Sequence, residues 1–255
     1  MISNAYLDFE DEFRGSRAQI VESLKKYDWF LDWIKNNYRE ANILDIGCGR
    51  GEWLEKCKDM GFQCIGFELN EDMVTLCKGL NLQAIKGNAI DLIKDISSES
   101  LNIVSIFHLI EHLNEEYILS LMKECRRVLK PEGFLLLETP SIDNILVSGK
   151  LFYLDPTHIN HINPDYLKFT LHNLGFKNAN YYFINPGPLN NSNSLNLTRV
   201  LNGVAQDISV IATSNNRFIN AFAEDDSAIE HNLNVGLSTL EAATEFDSSL
   251  RGIEY

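Results

Sequence analysis

Three glycines at alternate positions, in Asp45-Ile46-Gly47-Cys48-Gly49-Arg50-Gly51, separate a short apolar run from a helical stretch that begins at Trp53. Glycine at such a junction lets the backbone turn tightly and come close to a ligand at the carboxyl edge of a sheet. The spacing is not the dinucleotide fingerprint G-x-G-x-x-G. The third glycine comes one residue early, and Glu52 stands where it would be. Asp45, ahead of the first glycine, adds an acceptor. The loop suits a ligand that asks for acceptors as well as close backbone.

The chain up to Thr139 keeps the alternation that this start implies. Ile43-Leu44-Asp45-Ile46 reads as the first strand, and Trp53 to Met60 as a helix stopped by Gly61. Cys64 to Phe67, Leu82 to Ile85, Leu101 to Phe107 and Phe134 to Glu138 read as strands two to five. Asn70 caps a helix to Lys78, and Asn114 caps an amphipathic one through Leu129. Buried strands alternating with helices specify a parallel sheet with right-handed crossovers, a doubly wound α/β unit.

Outside this unit the pattern changes. Ser16 caps a helical stretch from Arg17 to Tyr38, with a break near Asp28. Pro140 to His161 has no periodicity and reads as an ordered loop over the sheet edge. Asn163-Pro164 starts a helix, and Tyr181 to Ile184 and Ile208 to Ala212 read as strands. Between those strands, residues 185–202 are rich in Asn, Pro and Gly and read as a lid or substrate loop. From Arg217, Ile229, Leu233, Leu237, Leu240, Ala243, Phe246 and Leu250 recur at helical spacing. A helix packed on the domain and the start of a coiled coil both fit; we expect self-association through it. The division is 1–40, a helical segment covering the site; 41–214, the α/β domain; and 215–255, a helical extension.

Net charge is −14, from 22 Lys and Arg against 36 Asp and Glu. That argues against nucleic acid and against unaided attachment to anionic lipid. Five cysteines without C-x-x-C pairing read as reduced thiols of a cytoplasmic protein. No apolar run is long enough for a membrane span, and no secretory signal pattern is present.

Two further residues continue the loop's chemistry. Glu68 ends the second strand, where a carboxylate accepts both hydroxyls of a ribose. Asn88, in Gly87-Asn88-Ala89 after the third strand, is placed to face an adenine edge, although alone it reads as a helix cap. With Glu111-His112 and Arg127-Val128-Leu129-Lys130-Pro131-Glu132-Gly133-Phe134, the run from Asp45 to Glu138 resembles the class I S-adenosylmethionine (SAM)-dependent methyltransferases. The resemblance implies a Rossmann-like sheet of seven strands in the order 3-2-1-4-5-7-6, the seventh antiparallel, with SAM as cofactor. It implies SAM contacts at Asp45, Gly47, Gly49, Glu68 and Asn88, with Ala89 and Phe107 beside them. One of Arg14 and Arg17 would close over the site and pair with the SAM carboxylate; the simpler reading is two solvated arginines.

A narrower resemblance covers Phe13 to about Ala212. Phe13-Arg14-Gly15-Ser16-Arg17, Gly49-Arg50-Gly51-Glu52-Trp53, Phe107-His108-Leu109-Ile110-Glu111-His112, Glu138-Thr139-Pro140 and Phe152-Tyr153-Leu154-Asp155-Pro156-Thr157-His158 are similar to methyltransferases made with bacterial surface-polysaccharide glycosyltransferases. This implies O-methylation of a sugar hydroxyl on an O-antigen-type polysaccharide or its lipid-linked intermediate. Glycosyltransferases of the pathway would be partners, holding the enzyme at the inner face of the membrane. The alternatives are a methyltransferase for a quinone precursor or other small metabolite, and a non-catalytic scaffold for glycosyltransferases.

Methyl transfer to an alcohol needs positioning and a base. Histidine titrates in the right range. His108, ending the fourth strand, is the first candidate; His158 is the second, with Asp155 to orient its ring. Glu111 and His112 would hold the site together, His161 is a weaker base, and Tyr153 could offer a platform to a sugar face. Four histidines with Glu111, Glu138 and Asp155 could also bind a metal. Only His108 and His112 have the i, i+4 spacing, and no metal is expected.

Overall fold

Neighbouring residues of each central strand face opposite sides of one sheet, and this alternation divides the core in two. The computed structural model describes residues 12, 15–187, 197–222 and 227–251. The strands are β1 (Asn42–Ile46), β2 (Gln63–Glu68), β3 (Ala84–Lys86), β4 (Leu101–Phe107), β5 (Leu129–Pro140), β6 (Asn178–Pro186) and β7 (Ala205–Thr213). They form a sheet in the order β3-β2-β1-β4-β5-β7-β6, in which β7 runs antiparallel to β5 and β6. This is the expected order.

Leu44, Ile46, Val104, Ile106, Leu135 and Leu137 face one core. It is covered by α6 (Glu115–Val128) and α7 (Pro164–Asn173), through residues such as Leu121, Met122, Leu167 and Leu171. Ile43, Ile103, Phe134 and Leu136 face the other, with Phe30, Leu31 and Ile34 of α2 (Asp28–Asn37) and Trp53 of α3 (Glu52–Asp59). The remaining helices of the doubly wound part are α1 (Arg17–Ser23), α4 (Glu71–Gly79) and α5 (Ala89–Lys94).

The caps fall where the sequence puts them. Ser16 and Gln19 form a capping box on α1, and Asn70, Asn114 and Asn163 cap α4, α6 and α7. The break near Asp28 is a 3₁₀ turn, Leu24–Tyr27. Helix α5 was not expected; Asn88 accepts the Ile90 N–H and starts it. The stretch 140–161 is more regular than expected, with a π-helical turn, Val147–Leu151, running into a 3₁₀ turn, Phe152–Leu154. Asn144 holds its start by accepting the N–H groups of Leu146 and Val147. Most of the expected lid, 188–196, lies outside the described residues, and its end is a helix, α8 (Leu197–Asn202).

The tail differs most. It is not one running helix but α9 (Asn216–Phe222), α10 (Ser227–Leu233) and α11 (Thr239–Arg251). Asn234 adopts φ 51°, and the Gly236 N–H donates to Phe183 O at 2.8 Å, so the chain leaves the helix to pair beside the sheet. Ile229 and Leu233 join the α2–α3 core, and Ala242 with Phe246 packs on Val200 and Val204 of the same chain. Of the apolar stripe, Leu240 and Leu250 remain exposed. The stripe is largely covered by the chain's own domain.

Candidate active site

Strand order reverses between β1 and β4, and the crevice at the carboxyl ends of these strands is where an open α/β sheet binds ligands. A cavity of about 510 Å³ opens there, lined by Asp45, Gly47, Gly49, Phe107, His108, Glu111, His112, Asp155 and His158, among others.

The glycine loop forms its floor. Gly47, Gly49 and Gly51 take φ of 73°, 52° and 81°. The N–H groups of Gly47 and Cys48 both donate to Phe67 O, at 2.8 and 3.1 Å, tying the loop to β2. A Cβ on Gly51 would come within 2.8 Å of both Cys77 Sγ and Leu82 Cδ1. A Cβ on Gly49 would meet no protein atom within 4 Å. Gly49 thus turns a bare backbone face to the cavity, as a close-fitting ligand requires. Glu68 Oε2 accepts the Gly49 N–H at 3.0 Å and its Oε1 accepts the Asn70 N–H at 2.8 Å. The carboxylate is fixed at the end of β2 by these two N–H groups.

Asp45 is buried and accepts from Ser105 Oγ at 2.7 Å. Burial, with the charges of Glu68 and Glu52 adding to it, raises its pKa to about 7 against the lowering by Ser105. A cationic ligand would restore the carboxylate, which is the need that a sulfonium and an ammonium meet. Floor, acid pair and volume fit SAM.

The N-terminal helix locks over this floor. Arg17 donates to the Arg50 carbonyl and, through Nη2, to Glu55 Oε2 at 2.6 Å. It is therefore committed to α3 and the loop, which corrects the expectation that it stands ready for the SAM carboxylate. Arg14 lies outside the described residues. Arg50 is a site residue that the sequence reasoning passed over: it is buried, lines the cavity, pairs with Glu52 Oε1 at 2.9 Å and donates to Gly15 O.

The opposite end of the cavity is polar. Backbone placement projects His108 into it: φ is 49°, and its N–H donates to Glu138 O at 2.8 Å. Its Nδ1 stands 3.5 Å from Glu111 Oε1 and its Nε2 3.5 Å from Glu138 Oε1. Glu138 also receives Lys26 Nζ at 3.1 Å, the Tyr27 hydroxyl at 2.8 Å and Asn185 Nδ2 at 2.9 Å. Burial opposes its charge, but Lys26, His108 and Tyr27 more than offset this and hold its pKa below the carboxylate range. Asn185 Nδ2 also donates to Asp207 Oδ2 at 2.8 Å. Lys26, Asn185 and Asp207 were not anticipated, because partners 22 to 159 residues apart leave no local pattern.

Asp155 does not orient His158 as expected. Its Oδ1 accepts from both Thr157 N and Thr157 Oγ1, at 2.8 and 2.6 Å, while its Oδ2 is 4.0 Å from His158 Nε2. His158 Nδ1 instead meets Phe152 O at 2.7 Å, and Thr157 Oγ1 meets His112 Nδ1 at 2.8 Å. Asp155 therefore acts on His112, through Thr157. Phe152, not Tyr153, lines the cavity; Tyr153 is exposed. Asn88 Oδ1 is occupied by its cap and by the Tyr117 hydroxyl at 2.6 Å. Glu68, Asn88 and Ala89 stand beyond the cavity's lining, over the ends of β2 and β3.

Residues 19–181 match the family model described as a methyltransferase domain. The chain belongs to this family. A SAM-dependent methyltransferase of Archaeoglobus fulgidus is 33% identical, with a TM-score of 0.71, over 82% of this chain and 99% of that one. A protein of Mycolicibacterium smegmatis named as a probable S-adenosylmethionine-dependent methyltransferase is 30% identical over 53% of this chain and 52% of its own. A ubiquinone biosynthesis O-methyltransferase of Xanthomonas oryzae is 28% identical over 39% of this chain and 43% of its own. The chain spans about half the length of the curated relatives it matches. This methyltransferase uses SAM, which supplies a methyl carbon on a sulfonium that leaves readily. Among the described residues no helix is long and apolar enough to cross a membrane.

Proposed function

We propose that this methyltransferase acts on oxygen, and that its acceptor is a sugar hydroxyl of a surface polysaccharide or of its lipid-linked intermediate. The observation that supports this reading is the polar acceptor end: His108, His158, Asn185, Gln206 and Asp207 line one continuous surface beside the SAM floor. A polyhydroxy acceptor needs many hydrogen-bond partners, and a flat phenol needs few. His108 is the base: its ring stands between the Glu111 and Glu138 carboxylates, and the proton of the acceptor hydroxyl moves to an imidazole nitrogen as the methyl carbon is attacked. Glycosyltransferases of the pathway would bring this cytoplasmic enzyme to the membrane's inner face.

A second reading, a phenolic quinone precursor, draws support from the Xanthomonas relative and from the apolar wall of Val147, Leu151, Phe152 and Leu154. Incubation with methyl-labelled SAM and parallel panels of glycans, nucleotide sugars and catechols separates the two. Label in a sugar methyl ether is the expected result; label confined to catechols would favour the second reading.

A further inference from the structure

Glu111, His112 and His158 each present one ligand atom within 4.8 Å of the others. We infer that these three residues bind a divalent first-row transition-metal ion at the acceptor end of the cavity, a site that the sequence did not lead us to expect.

The two imidazoles are prepared as ligands by the groups behind them. Thr157 Oγ1 donates its hydrogen to Asp155 Oδ1, so towards His112 it acts as acceptor. His112 must therefore carry its proton on Nδ1, which leaves Nε2 unprotonated. A backbone carbonyl only accepts, so Phe152 O likewise places the proton of His158 on Nδ1. A histidine that donates one ring N–H to a hydroxyl, carboxylate or carbonyl and turns the other nitrogen to an ion is the usual arrangement of a metal ligand. Here two such rings touch, with centroids 4.5 Å apart.

The third ligand is a buried charge with an unused oxygen. Glu111 is fully buried; Thr139 Oγ1 donates to its Oε2 at 3.0 Å, and its Oε1 has no hydrogen bond, only His108 Nδ1 at 3.5 Å. Among the described residues its ion-pair partner is histidine, not Lys or Arg. The N–H groups of Ile159 and Asn160 both donate to Glu111 O, at 2.9 and 3.0 Å, and strap the His158 loop over it. A buried carboxylate without a fixed cation is costly, and a bound ion removes that cost.

A second cluster, His108, Glu138 and Asp207, has similar proximity but a different occupant. The Lys26 ammonium already stands on Glu138 and Asn185 there. That cation takes the place an ion would need. Two nitrogens and one carboxylate favour Zn²⁺, Co²⁺ or Mn²⁺ over the oxygen-seeking Mg²⁺ and Ca²⁺. A small contraction brings the ligands to about 2.0–2.2 Å from the ion. An ion so placed would draw an acceptor hydroxyl towards His108; that role rests on the acceptor reading above, while the site itself does not.

The test needs no acceptor. The full chain, stripped with chelator, is titrated with Zn²⁺ by calorimetry and with Co²⁺ by visible absorption. We expect one equivalent at micromolar affinity or tighter, without the near-ultraviolet band of cobalt–thiolate bonds. His112→Asn, His158→Gln and Glu111→Gln should each weaken binding at least tenfold, and His172→Ala should not. Unchanged SAM affinity in the two histidine variants shows that they fold. Absence of stoichiometric binding, survival of binding in both histidine variants, a thiolate spectrum, or loss on Asp207→Asn instead would overturn the site.

Discussion

The Gly49 N–H donates to Glu68 Oε2 at 3.0 Å, so the first loop and the end of the second strand form one rigid surface. The Glu68 carboxylate is thereby set by the same turn that opens the floor. Asp45 stands behind that surface, buried, with the Ser105 hydroxyl donating to it.

Asp45 should give SAM binding a pH dependence. Its pKa, raised by burial and by Glu68 and Glu52, is about 7, above the ordinary carboxylate value. In the folded protein it holds a proton that the unfolded chain has released above about pH 4. Stability from this group therefore falls as pH rises from about 4 to about 7. Affinity for cationic SAM should move the other way, rising between pH 6 and 8 with release of a proton on binding. Calorimetry in buffers of different ionisation enthalpy measures that release, and Asp45→Asn should abolish it.

Gly51 tests the loop's geometry. Alanine there must hold φ 81° and fit a Cβ 2.8 Å from Cys77 Sγ and Leu82 Cδ1. Left-handed backbone in a non-glycine residue costs about 1–2 kcal/mol, and the crowding adds to that. Gly51→Ala should lower denaturation stability by at least this amount. Gly49→Ala, whose Cβ meets open space, should weaken SAM binding more than it destabilises.

How far the sequence reached follows from how local each signal is. The glycine loop, the capping asparagines and the alternation of strands and helices are set by neighbours in sequence or by periodicity and stand as read, while the strand order is what the family resemblance implies. The Lys26–Glu138–Asn185 group and the role of Asp155 depend on side chains that meet only after the sheet forms. The single running helix expected of the tail is broken for a related reason. Helical spacing states that a stripe must be buried, not against what, and Asn234 and Gly236 interrupt it to pair with the sheet.

The tail therefore acts as part of the domain. Leu233 is fully enclosed in the core that contains Phe30, while Leu240 is 74% exposed. Leu233→Ala should cost about 2–5 kcal/mol in chemical denaturation. Leu240→Ala should change stability by about 0.5 kcal/mol or less. Equal effects would mean that α10 does not pack where it is described.

The base assignment separates turnover from binding. His108→Ala should lower methyl transfer by about 10²–10⁴-fold while SAM affinity stays within about twofold, because a base acts on the acceptor. His158→Ala should lower transfer too, with its effect tied to the cavity's acceptor end. Near-normal single-turnover rates in His108→Ala would remove that residue from the chemistry.

The most direct measurement is calorimetric titration of the full chain with SAM, alongside Asp45→Asn and Glu68→Gln. The loop and the two acids should give micromolar affinity in the native protein. Each substitution should weaken it by about 1.5–3 kcal/mol, roughly 10- to 150-fold, as expected for a charged hydrogen bond. Native-like affinity in both variants would contradict the placement of SAM on this floor.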